Sequence, residues 1–307
     1  MIIENKPNQH YVWQKYLEPW KKGNKIAWLR NKKDIIESNS RNVASERYFY
    51  DINGVTLNDC TLIKQIFISK QIGPIKSLLE DWIKPIETFL LLYNVVPNER
   101  EIKSLIEIQL KNLLEELHTQ IESDGMSGLC KIQSGDVTFL SKDDDLYEED
   151  DIGFIIYLCF QYFRTKKNKS NVKEGLGEYT RLFNDFDNAF NLIALILSTR
   201  LGYTLLNHIK NKVFHCYLLE NDSEIPFITG DQPVINTHAS SNVYEEVNEL
   251  ELYYPITPGM SLLITKDQIE NKKCCVKKVQ EYNKLIVRQS HEIIFANDAI
   301  FLHPYII

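Results

Sequence analysis

The chain predicts an α+β protein, with a helical middle over about residues 57–210 packed against β-rich ends at 25–50 and 213–300. Three observations predict it. Apolar residues recur at helical spacing through the middle, beginning with Leu62, Ile63, Ile66, Phe67, Ile75, Leu78, Leu79 and Trp82. Short β-branched and aromatic runs flank that region, with an N-terminal β-hairpin at 25–38 and a mostly antiparallel C-terminal sheet expected from 213 onward. The 307 residues, 44% hydrophobic and 11% aromatic, suffice for one large core. No repeat, low-complexity linker or sharp boundary divides them, so a single domain over 1–307 is expected.

In chain order, residues 8–20 read as a short helix, with Tyr11, Tyr16, Leu17 and Trp20 at near-helical spacing and Pro19 ending it. Gly23 marks a turn. Residues 25–30 and 35–38 pair as a hairpin through Asn31-Lys32-Lys33-Asp34, and 43–50 adds an aromatic cluster beside it. Helices follow from Leu57, with a kink expected at Gly73-Pro74. Residues 98–122 form an amphipathic helix on Ile102, Leu105, Ile106, Leu110, Leu113, Leu114 and Leu117. Asn98 caps it, and Glu99 and Glu101 sit where the helix dipole favours acids. Residues 125–151 are expected as a loop or short hairpin ending in the acidic run 143–151. That run lacks the glycine and ligand spacing of a calcium loop and reads as a solvated helix start. Residues 152–164 and 176–210 read as buried helices. Strands at 213–219, 226–235, 252–254 and 260–265, a helix at 278–289 and a strand at 292–296 close the chain.

Composition excludes several function classes. A net charge of −7 argues against a broad nucleic-acid surface and leaves one local basic stretch, Arg164-Thr165-Lys166-Lys167-Asn168-Lys169. The N-terminus has no basic segment leading into an apolar run, and the apolar stretch 190–206 carries Asn191, Ser198, Thr199, Arg200 and Tyr203. A buried helix rather than a membrane span is expected there, in a cytoplasmic protein. Six cysteines without a C-x-x-C pair read as reduced structural thiols. No phosphate-binding P-loop, dinucleotide glycine motif or nucleophile elbow occurs, so no cofactor is expected. No metal is expected either, because His215, His238, His291 and His303 lack ligand spacing.

Five motifs stand out in order. They are His10-Tyr11-Val12-x-x-x-Tyr16-Leu17, Asn42-Val43-Ala44-x-Glu46-x-x-Phe49-Tyr50, Gln161-x-x-Arg164-Thr165, Phe227-Ile228-Thr229-x-Asp231-x-Pro233-Val234 and Tyr254-Pro255-Ile256-Thr257-Pro258. With Asn283 and Ile293-Ile294-Phe295-Ala296, they resemble a widespread bacterial family, domain of unknown function 4238, from residue 8 to 296. Trp13 stands where that family has proline, and Gly230 where it has serine. The family name implies no activity, so chemistry has to come from the residues.

Five residues compose a candidate catalytic site: His10, Glu46, Gln161, Arg164 and Asp231. His10 titrates near neutral pH and suits proton transfer. Arg164 ends an apolar helix and needs a carboxylate, for which Asp231 on its strand-end turn is the expected partner. Its planar fork suits a phosphate. Gln161 shares its helix face, and Glu46 reaches from the N-terminal cluster. This set points to a hydrolytic effector on nucleic acid or a nucleotide, RNase-like, in a phage-defence or toxin role, with Arg164, Lys166 and Lys167 meeting the phosphates. Two alternatives stand beside it: a non-catalytic sensor binding a nucleotide or a protein partner, and a structural protein whose motifs are staples of the fold. The sequence does not give the oligomeric state.

Overall fold

In the computed structural model, which describes residues 8–47, 49–96, 99–141, 149–240 and 242–307, the chain opens as a strand and not as the expected helix. Strand β1 (Asn8–His10) is followed by turns and a 3-10 segment, Glu18–Trp20, with Pro19 in its first turn. The aromatic run has too many separate partners for one helix face. Tyr16 stacks on Tyr254 at 4.8 Å. Its hydroxyl meets Thr229 Oγ1 at 2.6 Å and donates to the Pro255 carbonyl at 2.7 Å. The Trp20 indole donates to the Phe227 carbonyl at 3.2 Å. Tyr11, Val12, Tyr16, Leu17 and Trp20 are all buried, and their contacts outweigh a local helical preference.

The hairpin forms as expected from β2 (Ile26–Arg30) and β3 (Asp34–Ser38), turning through Asn31 and Lys32 at φ of 48° and 57°. Strand β4 (Ser45–Arg47) pairs antiparallel with β1, setting Gln9 opposite Glu46 and His10 opposite Ser45.

Helix α1 (Leu57–Ile63) starts on a Thr56–Asp59 capping box and continues through a π-helical turn at Lys64–Ile68. Gly73 at φ 68° and Pro74 at the first position then give a full break before α2 (Pro74–Val95) rather than a kink. Helix α3 runs from Arg100 to Gln133. Glu99 occupies its cap position without a side-chain bond, and Asn98 lies outside the described residues.

Gly125 and Gly128 were expected to open a loop; instead they lie inside α3, where α4 (Glu149–Phe163) crosses it. A Cβ on Gly125 would fall 2.4 Å from the Tyr157 Cβ, and one on Gly128 would fall 2.5 Å from the Phe154 Cβ. On α4 the same holds for Gly153, whose Cβ would lie 2.4 Å from the Asp124 carbonyl oxygen. The glycines are there for close approach, and the packing overrides their helix-breaking tendency. Of the acidic run, 143–148 lies outside the described residues, and Asp151 sits in the first turn of α4.

Helix α5 (Lys166–Leu176) is capped by Thr165 and ends at Gly177, φ 51°. A 3-10 turn follows, so α6 (Phe186–Lys210) starts later than expected, on an Asp185 cap. By length and composition α6 could cross a membrane, but 67% of its apolar window is buried inside the protein, between α2 and α4.

After β5 (His215–Asn221), the expected strand at 226–235 resolves into β6 (Thr229–Gly230) and β7 (Ile235–Asn236), in different sheets. Asp231-Gln232-Pro233 separates them, and Pro233 has no N–H for a ladder. Then come β8 (Leu252–Thr257), β9 (Met260–Thr265), β10 (Lys273–Cys274), α7 (Val276–Gln289) and β11 (Ile293–Ala296). One sheet has the order β10-β5-β9-β8-β7, with only β10–β5 parallel. The other, β3-β2-β11-β6, is antiparallel and pairs the N-terminal hairpin with the last strand. The α+β expectation therefore holds, and the two β-rich ends are joined. The largest core cluster runs continuously from the N-terminal aromatics through α3 and α4 to β8 and β9.

The glycine crossing is directly testable. Gly125→Ala and Gly128→Ala should each destabilise by about 1–3 kcal/mol through overpacking. Gly175→Ala in α5, where an added Cβ meets nothing within 4 Å, should instead gain up to about 1 kcal/mol of helix propensity. Urea unfolding at equal m-value distinguishes the two outcomes.

Candidate functional site

The glycine contacts fix how α3 and α4 face each other. Gly128 meets Phe154 and Gly125 meets Tyr157, so the helices run antiparallel. Further along, beyond Gly125 on α3 and Tyr157 on α4, this brings His118 and Glu122 opposite Gln161 and Arg164. Arg164, only 3% exposed, donates from Nη1 to Glu122 Oε1 at 2.7 Å. The Glu122 side chain is 20% exposed, so the pair has one end toward solvent. The Arg164 guanidinium lies 5.0 Å over the Phe160 ring.

His118 is wedged between aromatic rings. Its centroid is 3.8 Å from Tyr50, edge-on at 83°, and 4.7 Å from Phe160. The Tyr50 hydroxyl donates to the His10 backbone carbonyl at 2.8 Å. The His10 ring places Nδ1 3.2 Å from the Val43 carbonyl. A neutral ring holding that bond carries its proton on Nδ1 and leaves Nε2 as a lone pair.

Burial, with the Arg164 charge adding to it, lowers the His10 pKa against the opposing pull of the Val43 carbonyl. Burial and then Arg164 push His118 well below the usual histidine value. Glu122 moves the other way: burial raises its pKa even though Arg164 works against the rise. The centre thus holds neutral imidazoles and a carboxyl shifted toward its acid form around one fixed cation.

Six polar atoms here have no hydrogen-bond partner among the described residues: both ring nitrogens of His118, Oε1 and Nε2 of Gln161, and Nε and Nη2 of Arg164. His118 is 5% exposed and Gln161 0%. Leaving a buried polar group unpaired typically costs about 1–3 kcal/mol. Arg164 Nε and Nη2 form one edge of the guanidinium, the parallel N–H pair that grips a carboxylate or phosphate side-on, and the Tyr50 hydroxyl also interacts with this guanidinium.

Of the sequence-derived candidates, Gln161 and Arg164 lie on one stretch of α4, and the His10 ring is near enough for the Arg164 charge to act on it. The other two have different work. Asp231, 2% exposed, is not the partner of Arg164. Its Oδ1 accepts the His291 amide at 2.7 Å, and its Oδ2 accepts those of Glu292 at 2.7 Å and Ile293 at 3.0 Å. These bonds clamp the turn after β6 onto the start of β11, and they lower a carboxyl pKa that burial raises. Glu46 is half exposed and pairs with Lys166 at 2.7 Å. Lys166 also lies 5.2 Å over the Tyr11 ring. Lys169 and Lys173 share Asp187 at 3.7 and 2.9 Å, so much of the basic stretch is matched by carboxylates.

Other motif residues are bonded into the scaffold. Thr165 donates to Gln232 Oε1, and Gln232 Nε2 donates to the carbonyls of Tyr162 and Val234 at 3.0 and 2.7 Å. Asn283 accepts the Ile228 amide at 3.0 Å and donates to the Pro226 carbonyl at 2.9 Å. Sequence reasoning passed over His118 and Glu122. The available signal was the buried stripe of α3, where His118 follows Ile106, Leu110 and Leu114 and precedes Ile121 and Gly125 as its one imidazole.

The fold and the geometry define an α+β protein built around a polar centre between two antiparallel helices. The chain belongs to the family described as Protein of unknown function (DUF4238), whose model matches residues 8–299. No curated protein and no solved structure matches it.

Two stability measurements check the electrostatics. Glu122→Met leaves the Arg164 charge buried and unpaired and should cost about 3–5 kcal/mol. Adding Arg164→Met should recover much of that loss, since the double variant has no orphaned charge. The second concerns His118. The folded ring refuses a proton that the unfolded chain accepts near its ordinary value of 6.5. The contribution of His118 is therefore full above that pH and is lost as the pH falls below it. His10 acts with the same sign, whereas the raised Glu122 pKa acts oppositely above its ordinary value of 4.5. His118→Phe removes only the first of these, so its melting temperature should fall less than that of the wild type between about pH 7.5 and 5.5.

Proposed function

We propose that this centre hydrolyses a phosphoester bond in a nucleic acid or nucleotide. The observation that carries the reading is the open Nε and Nη2 edge of Arg164, buried and unpaired, with a guanidinium charge that acts on the His10 ring. In this reading Arg164 Nε and Nη2 hold two phosphate oxygens and stabilise the charge that develops on them. The lone pair on His10 Nε2 takes a proton from a water as its oxygen attacks phosphorus. The proton taken up by His10 passes to the leaving oxygen as its bond to phosphorus breaks, while Glu122 stays ionised and holds the Arg164 fork in place. Gln161 Nε2 adds a neutral donor. Each proton and each bond is then accounted for with the groups of this chain.

A second reading also has an observation in its favour. Arg164 is almost sealed and already has a carboxylate, so the pair also fits a staple between α3 and α4 without chemistry. Phosphate release from nucleotides and from RNA, with melting curves, separates the readings. Under hydrolysis, His10→Ala lowers turnover by about 10²–10⁴-fold with little change in fold. Arg164→Lys keeps the charge but loses the fork, and lowers turnover by about 10²–10³-fold. Wild-type protein that turns over neither substrate class, with both variants losing stability, supports the staple.

A further inference from the structure

We propose that His118, together with Gln161, recognises the neutral hydrogen-bonding edge of a small nucleotide-class ligand whose phosphate sits on the open edge of Arg164. The inference rests on reading the Arg164 centre as a ligand site, but not on hydrolysis occurring there.

The geometry leads to this residue. His118 touches Tyr50 at 3.8 Å and Phe160 at 4.7 Å, and the Phe160 ring also lies 5.0 Å beneath the Arg164 guanidinium. Imidazole and guanidinium therefore share one aromatic wall. The flanking rings fix the plane of His118, so its two nitrogens point in set directions. Neither nitrogen has a partner among the described residues, and the residue is only 5% exposed.

The chemistry of these atoms selects the ligand. An imidazole kept neutral by burial and by Arg164 offers one N–H and one lone pair. Gln161 offers the same combination, a donor Nε2 and an acceptor Oε1, and both are unpaired. Phosphate alone would use donors and leave two acceptors, the His118 lone pair and Gln161 Oε1, still buried and open. An edge that donates and accepts, as the edges of nucleobases do, satisfies all four. The oxyanion belongs on Arg164, where two parallel N–H groups are open. A ligand reaching side chains 0–5% exposed is enclosed by protein, which favours a mononucleotide over the interior of a polymer.

The test uses the full chain and measures thermal shift and calorimetric affinity. The probes are the four ribonucleoside 5′-monophosphates, the corresponding nucleosides, inorganic phosphate, and a single-stranded RNA oligomer. At least one monophosphate should bind more tightly than its nucleoside and than phosphate. His118→Phe keeps the ring contacts and removes the unpaired nitrogens. It should hold or raise the melting temperature of the free protein while weakening the monophosphate at least tenfold. Gln161→Leu should weaken it in the same direction. His118→Phe that binds the monophosphate as the wild type does overturns the proposal. So does binding of the oligomer alone, or the absence of binding by every probe. A monophosphate that binds without any substrate being turned over defeats the hydrolase reading and leaves this one standing. Turnover with an unchanged KM in His118→Phe does the reverse.

Discussion

The close approach of α3 and α4 is the constraint on which the rest of the centre depends. Gly125 and Gly128 let the Tyr157 and Phe154 side chains lie against the α3 backbone, and Gly153 brings the α4 backbone against Asp124. A glycine inside a helix costs up to about 1 kcal/mol in propensity, and here that loss is exchanged for interhelical contact. The contact sets distance and register together. Shifting either helix by one residue would turn Glu122 away from Arg164, and a buried guanidinium without its carboxylate is among the most destabilising defects a core can carry. The partial exposure of Glu122 limits the desolvation cost of the pair. The near-complete burial of Arg164 lets its charge act on His10 and His118 with little screening.

The residues that resemble the family motifs divide into two kinds once their hydrogen bonds are traced. Tyr16, Thr165, Thr229, Asp231 and Asn283 have bonded partners, and those partners join segments far apart in sequence. They explain how the N-terminal strand, the α4–α5 corner and the C-terminal sheet hold together. Gln161 and Arg164 are the other kind, buried with polar atoms left over. A motif in the sequence looks the same in both cases. Only the hydrogen bonds of the folded chain separate a staple from a group with capacity for something else.

What was legible in the sequence follows from which interactions are local. The hairpin at β2–β3, the helices from Leu57 onward and the C-terminal alternation of strands and α7 all declare themselves through periodicity or turn residues. Residues 8–20 misled because their aromatic spacing suits a helix, while their partners lie near residues 227, 229, 254 and 255. Gly125 and Gly128 misled because a glycine that permits helix packing has the same local signature as one that ends a helix. The carboxylate of Arg164 was sought in Asp231, the acidic residue of the other motif, whereas Glu122 supplies it from 42 positions upstream. Asp231 was already engaged by three backbone amides, which no side-chain pattern announces.

Buried polar groups in folded proteins are paired in the great majority of cases. Elsewhere Trp82 Nε1, Gln133 Nε2 and Asn297 Oδ1 stand singly, and Tyr253 Oη and Ser261 Oγ leave one atom each next to one another on β8 and β9. The centre differs because three neighbouring side chains leave two atoms each, on facing turns of two helices. Phenylalanine at 118 and leucine at 161 would fill similar volume and remove the unpaired atoms, so a chain shaped by stability alone gains by losing them. Their presence is accounted for when a partner completes them. Such a partner binds only the folded state, so its occupancy adds to stability by mass action while it relieves the unpaired groups. On this account the weakness of the centre in the free protein and its affinity for a ligand have one physical origin: donors and acceptors fixed in place before anything arrives to meet them.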